Sequence, residues 1–583
     1  MPITTWRFMV IRLDRFLSMS IDILQFRGTA EIRVSRQIRC KSIRWVQSFE
    51  VGTALALVQA SPQPECPDGQ LQSLRFRPRR FGAGGDLAQR GRGLAYARRP
   101  QTALALYAAT GCLNNTYYAS AEEQLDHVLS LCAQVEPAFV AKTAIHTRQR
   151  GHMKDMPALL LASLTARDGA AFERAFGRVI DNGRMLRTFV QIVRSGRIGR
   201  KSLGSQPKRL VRQWLDNASV EQLLAAAIGQ QPSLADVIKM VHPKPADAER
   251  AALYAWLIGK PFDEAALPAK VRAFEAFKRS TDAPMPKLPF QYFTSLPLSV
   301  AHWTQLARTV SWQTLRMNLN TFQRHGVFDD PAVVTEIAAR LADVDEIRNA
   351  RVFPYQLLSA YHAGGELPAP IVAALQDAME IATGQVPALQ GGVVVAVDVS
   401  GSMSASITGY RKGATSKVRC VDVAALIAAC IQRTHAAARV MPFDTEVRGL
   451  RLNPRDSVTT QAAQLASLCG GGTAVSAPLA QLNREKAKVD LLVMVSDNES
   501  WRDTRSGGAT ATMREWAQIK ARCPDARLVC IDLQPTATSQ TVESPDVLHI
   551  GGFSDAVFDL LAVYAAQGSD AARWVERIGS IPL

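Results

Sequence analysis

The sequence has no apolar run approaching the ~18 residues that cross a bilayer, so no hydrophobic membrane span is expected. Its nine cysteines are scattered and include no C-x-x-C pair, which argues against a zinc ribbon or a disulfide framework. Reduced thiols in a cytoplasmic protein are the expectation. Signatures of P-loop, zinc-protease and α/β-hydrolase chemistry (G-x-x-x-x-G-K-[ST], H-E-x-x-H, G-x-S-x-G) are missing, and no His/Cys pair stands at a useful spacing. An enzyme is therefore not expected. Positive charge is in excess: 68 Lys and Arg against 52 Asp and Glu give a formal +16, with a pI near 9.6. That balance points to an anionic partner, nucleic acid first. The excess is local, because residues 1–100 hold 17 Arg and Lys against seven Asp and Glu. Their net +10 leaves only +6 for the other 483 residues.

At 583 residues and 47% apolar composition, the chain can build more than one core. Three parts are legible. Residues 1–91 are basic, show no sustained period, and carry Arg75-Phe76-Arg77-Pro78-Arg79-Arg80 followed by Gly82-Ala83-Gly84-Gly85. They read as a disordered arm gripping phosphates, as a targeting peptide (against which acidic residues and length both count), or as an extension upstream of the working chain. Residues 92–383 read as an α-helical domain. Ser120-Ala121-Glu122-Glu123 forms a capping box before an apolar stripe of Leu125, Val128, Leu129, Cys132 and Val135. Pro157 opens another helix, Asn182-Gly183 closes the one holding Phe172, Phe176 and Ile180, and Ser219 with Gln222 caps a short one. Further helices are expected at 246–257, 269–278, 299–309, 311–324, 331–343 and 368–382. Many short helices without a strict period suggest a helical-repeat solenoid, interrupted at Pro284, Pro286, Pro289 and Pro297.

Residues 384–583 switch to alternation. Strands at 393–398, 439–443, 489–496 and 527–532 alternate with helices at 420–435, 474–484, 512–521 and 554–566, an α/β doubly wound domain. Its first strand, Val393-Val394-Val395-Ala396-Val397, runs directly into Asp398, with Ser400 and Ser402 two and four positions on. An unbroken apolar strand is buried on both faces, and its carboxyl end is where open α/β sheets bind ligands. Gly470-Gly471-Gly472-Thr473 offers another hydroxyl, and a second buried strand ends at Ser496-Asp497. Small oxygen ligands of this kind suit a hard cation, Mg²⁺ first. Asp444, after the second strand, reads as a structural loop residue.

The set Asp398, Ser400, Ser402, Thr473 and Asp497 resembles the metal-ion-dependent adhesion site of von Willebrand factor A domains. Together with Asn115-Thr116-Tyr117-Tyr118, Lys154-Asp155-Met156-Pro157, His242-Pro243-Lys244-Pro245, Asn318-Leu319-Asn320-Thr321 and Ala350-Arg351-Val352-Phe353-Pro354-Tyr355, it makes residues 92–583 similar to the Ro ribonucleoprotein family. Members of that family join a helical TROVE module to such a domain. The resemblance implies a ring of HEAT-like repeats closed by the A domain. Single-stranded 3′ ends of misfolded or structured noncoding RNAs would thread it, and small Y-like RNAs would bind outside. The implied role is RNA quality control or maturation beside a 3′→5′ exoribonuclease, by a cytoplasmic monomer. Where the family has a His for Y-RNA, this chain has Leu234.

One segment fits RNA on its own terms. Arg194, Arg197, Arg200, Lys201, Lys208, Arg209 and Arg212 place seven cations in nineteen residues, with no acid until Asp216. A charge run is also what a solvated helix face looks like. Lys142, Arg148, Arg150, His152 and Lys154 form a second group. Tyr117 and Tyr118 are candidates for base stacking, although adjacent helical aromatics point different ways. Two other readings remain. Metal-assisted hydrolysis would make the ion catalytic. A protein–protein adaptor would let a partner's carboxylate complete the ion's shell on a helical scaffold.

Overall fold

The computed structural model describes residues 6–13, 19–27, 31–36, 87–88, 94–110, 113, 120–229, 231–350, 352, 354–384, 386–407, 418–497, 510–534, 538–542, 544–552, 557–558, 561, 564–565 and 573–583. Asn115-Thr116-Tyr117-Tyr118, Arg351, Phe353 and Asn498-Glu499-Ser500 lie outside these, as does most of 554–566. The chain divides into two units, Met1–Arg80 and Phe81–Leu583.

In the first unit, β1 (Trp6–Leu13), β2 (Met19–Arg27) and β3 (Glu31–Arg36) form an antiparallel sheet in that order. The sequence reading gave 1–91 no regular structure. The register shows why strands form: Trp6 stands opposite Phe26, Ile11 opposite Ile21 and Phe26 opposite Ile32. Aromatic and β-branched residue types favour strands, and the arginines among them in the sequence hide the period.

The second unit starts with β4 (Leu87–Ala88) and β5 (Leu94–Ala97). The helical series follows: α1 (Pro100–Thr110), α2 (Ala121–Gln134), α3 (Pro137–Gln149), α4 (Asp155–Leu164), α5 (Gly169–Val179), α6 (Gly183–Arg194), α7 (Ser205–Asn217), α8 (Val220–Ala226), α9 (Leu234–Val241). After it come α10 (Ala248–Ile258), α11 (Ala269–Arg279), α12 (Val300–Thr309), α13 (Trp312–Met317), α14 (Leu319–Arg324), α15 (Pro331–Leu341), α16 (Val344–Ala350), α17 (Pro354–Ala363) and α18 (Ala369–Thr383). Local chemistry sets many of the starts. The Ser120 hydroxyl accepts from the Glu123 N–H at 3.2 Å while the Glu123 carboxylate accepts from the Ser120 N–H at 2.8 Å. Ser219 and Gln222 do the same for α8.

Two expectations change. Asn182 begins α6 rather than ending α5, its side chain accepting from the Met185 N–H at 3.0 Å. Gly183 is needed next, since a Cβ there would lie 2.0 Å from that of Ala226. The helix expected over 311–324 is two helices, because Asn318 leaves helical geometry and its amide donates back to the Thr314 carbonyl at 2.7 Å. The proline-rich stretch holds a single 3-10 turn, Phe290–Tyr292, among the described residues. Aromatic packing fills it, with Phe274 edge-on to Tyr292 and Phe293.

Beyond α18, a five-stranded parallel sheet has the order β11-β9-β8-β6-β7. Its strands are β6 (Val393–Asp398), β7 (Arg439–Phe443), β8 (Leu491–Ser496), β9 (Arg527–Asp532) and β11 (Val547–Gly551), with β10 (Thr538–Ser539) outside it. Helices α19 (Cys420–Thr434), α20 (Val458–Ala466), α21 (Ala477–Arg484), α22 (Ala511–Arg522) and α23 (Arg573–Gly579) accompany it. Sequence reading missed β11, α20 and α23. It also put 92–97 in the helical domain, whereas β5 pairs with β10, Ala97 opposite Thr538. Arg98 follows, buried, with its guanidinium donating to Asp532 at 2.6 Å and lying 3.1 Å from His549 Nδ1.

The helical series is held at both ends by this α/β domain. Helix α1 packs on β11, while α17 and α18 pack on α19 and α20. Helix α23 lies on α3, where Lys142 Nζ donates to the Gly579 carbonyl and Arg178 to that of Pro582.

Beneath α23, burial and then the charges of Arg150 and Arg577 push the His146 imidazole down from 6.5 to about 4. Burial and Arg98 lower the His549 imidazole as well. The contribution of His146, neutral in the fold down to its lowered pKa and protonated below about 6.5 once unfolded, is therefore complete above pH 6.5 and is lost as pH falls toward 4. For His146 the loss is at most about 3 kcal/mol. Urea unfolding at pH 7 and pH 4.5 should show this loss, and His146→Gln should flatten it.

Candidate functional site

Strand pairing brings the candidate oxygen ligands to one sheet edge. Val397 of β6 stands opposite Val495 of β8, so Asp398 ends flush with Ser496 and one step short of Asp497. Asp398 and Ser400 have no solvent exposure, and Ser402, Thr473 and Asp497 are buried. One Asp398 oxygen accepts the Ser400 N–H at 2.8 Å and the other the Ser496 hydroxyl at 2.6 Å. The Ser400 and Ser402 hydroxyl oxygens are 3.2 Å apart. The glycine loop is laced to this turn, Gly470 N–H donating to Val399 at 2.7 Å and Gly401 N–H to Gly471 at 3.0 Å.

Burial pushes the Asp398 carboxyl up; the Ser400 and Ser496 bonds oppose this, and the negative charge of Asp444 adds to it. Asp444 is pushed up by burial too, but the Arg448 guanidinium at 3.0 Å and backbone N–H donors hold it below the usual range. That pairing occupies Asp444 structurally, as its loop position suggested. Among the described residues no three His, Cys, Asp or Glu side chains group as a metal site. The set here is two carboxylates and three hydroxyls, hard oxygens that could hold a Mg²⁺-like ion. Sequence reading missed Ser496, which steadies Asp398; its place opposite Asp398 in parallel register was the available signal.

The cations behave less uniformly. Arg194, Arg197, Lys201 and Arg209 are exposed, while Arg200, Lys208 and Arg212 are half-buried. No compensating acid stands within this run of the sequence, but folding supplies two. Arg197 pairs with Glu122 at 2.6 Å and Arg209 with Glu173 at 2.7 Å, both from helices distant in sequence. Arg212 donates to the Val241 carbonyl. Gly196, Gly199 and Gly204 have φ of +85°, +78° and +76°, so they make the turns between α6 and α7. In the second group, Lys142 donates to the Gly579 carbonyl and Arg148 is held by Asp181 at 2.7 Å. Arg150 and Lys154 remain exposed. Partial desolvation of the Lys154 ammonium by its neighbours, then the charges of Arg184 and Arg148, lower its pKa; Arg184 went unnoticed in the sequence. Leu234 is buried in α9, and His242 caps that helix in the left-handed conformation, exposed.

A parallel sheet with hydroxyls and carboxylates at its carboxyl edge, joined to a long helical series, defines a von Willebrand factor A domain protein with a helical partner module. Residues 392–565 match the Ro60 vWA domain family. The chain is 27% identical over 513 residues to the RNA-binding protein RO60 of Deinococcus radiodurans, a match spanning 81% of this chain and 94% of that protein. The crystal structure of the Deinococcus radiodurans RO (RSR) protein shares the fold. Its TM-score is 0.56 at 21% identity, over 80% of this chain and 99% of that one. The chain resembles the Ro family along nearly the whole length of these relatives.

Gly471 has φ +79°, and a Cβ there would lie 2.6 Å from Asp444 Oδ2. Gly471→Ala should therefore lower stability by about 1–3 kcal/mol, read by denaturant titration.

Proposed function

We propose that this chain is an RNA-binding protein of Ro type, acting by binding rather than by catalysis. The end-to-end similarity to a protein named for RNA binding carries the reading. The exposed cations Arg194 and Lys201, with half-buried Arg200 and Lys208, support it: no ion pair ties any of them to a described acid. Such groups suit sequence-independent phosphate contacts that release counterions. The ligands proposed are single-stranded 3′ ends of misfolded or structured noncoding RNAs, delivered for quality control with a 3′→5′ exoribonuclease. Small Y-like RNAs are a second class, though buried Leu234 offers them no contact. Free thiols, including buried Cys132 and Cys530, suit a reducing cytoplasm.

RNA affinity should be measured at two salt concentrations, with a structured RNA bearing a 3′ single-stranded tail and the same RNA blunt. Tail-dependent binding that weakens with salt is expected. Lys201→Glu with Lys208→Glu should weaken it at least tenfold and reduce the salt slope by about two. An unchanged slope would sink the assignment of these residues.

We also infer that Asp398, Ser400, Ser402, Thr473 and Asp497 hold a divalent ion, Mg²⁺ first. When bound, the ion would supply a charged contact point for a partner's carboxylate. Adding Mg²⁺ should raise the melting temperature of the native chain and leave Asp398→Ala unmoved. If Mg²⁺ shifts neither, the metal assignment fails.

A further inference from the structure

Between α5 and α7 lies a cleft of about 620 Å³, within the size range of small-molecule sites. Phe176, Ile180 and Leu210 form its buried floor. Trp214 lines it half-exposed, and its indole N–H makes no hydrogen bond to any described residue. The amides of Gln213 and Asn217, also on the lining, are exposed and likewise without a partner among the described residues. Two acids reach the cleft, and each is already engaged. Glu173 is held by Arg209 at 2.7 Å and by the Gln206 amide at 2.9 Å, Asp181 by Arg148 at 2.7 Å.

The lining is thus a neutral aromatic and amide surface whose rim carries guanidinium groups. We propose that this cleft receives one nucleobase of a bound RNA strand, stacked on Trp214 and met at its edge by Gln213 and Asn217. The inference rests on the RNA-binding reading above. A carboxamide both donates and accepts, so it can meet the polar edge of any base. An aromatic face is equally tolerant of base identity. Lys208 stands about one helical turn before Gln213 on the same helix and is tied to no described acid, so a phosphate flanking the inserted base meets a cation. A cationic peptide would instead meet the arginines already at the rim.

The test uses the full chain and three decamers of equal charge: oligo(U), oligo(A) and an abasic strand. The native protein should bind both base-bearing strands about tenfold more tightly than the abasic one. Trp214→Leu should erase that preference while leaving the salt slope intact. So should the paired variant Gln213→Ala with Asn217→Ala, which alters exposed side chains only and remains decisive if the tryptophan variant does not fold. If the native chain binds RNA and the paired variant keeps the full preference, the cleft is not a base site, and the RNA-binding reading survives. Equal binding of all three strands by the native chain also overturns the proposal. No RNA binding at either salt overturns both.

Discussion

A carboxylate sealed from water at the end of a buried strand sets the terms for one edge of this protein. Asp398 loses its hydration when β6 packs between β7 and β8, so it must be satisfied from within. The Ser400 N–H and the Ser496 hydroxyl do so, and the loops bearing them are tied to the glycine turn at 470–472. Three segments, the outermost 98 residues apart in sequence, are thereby fixed at one edge. The same burial makes the edge receptive to positive charge, since a raised carboxyl pKa records the cost of leaving the anion uncompensated.

The helical module follows a different logic. Some of its cations are paired with acids of neighbouring helices. Arg197 with Glu122 and Arg209 with Glu173 are exposed pairs, each worth little to stability. They matter more for what they remove from the surface charge. Cations left without such partners are fewer than a linear count suggests, and an anionic polymer would meet a patterned face instead of a uniform one.

Much of this was legible in the sequence. The five candidate oxygen ligands stood out because an apolar strand running into Asp has few other uses, and parallel strands must bring their ends together. Capping boxes at Ser120 and Ser219 marked helix starts correctly because both partners are local. What escaped was nonlocal. Strand β11 has no polar alternation to announce it, and β5 is a strand because β4 and β10 pair with it on either side. Asn182 was misread because a residue between two helices can end one or begin the next, and the Met185 N–H decides. The acid partners of Arg197 and Arg209 lie 75 and 36 residues away, so a run without acids in sequence did not mean a surface without acids.

Both ends of the helical series rest on one domain, α1 on β11 and α18 on α20. An open solenoid can grow by duplicating a repeat, since each unit needs only its neighbours. This series lacks that freedom. An added helix pair would have to fit between two anchors whose separation the sheet dictates, or detach one of them. Variation among proteins built this way should therefore fall in their connecting loops, with the number of helices held nearly constant.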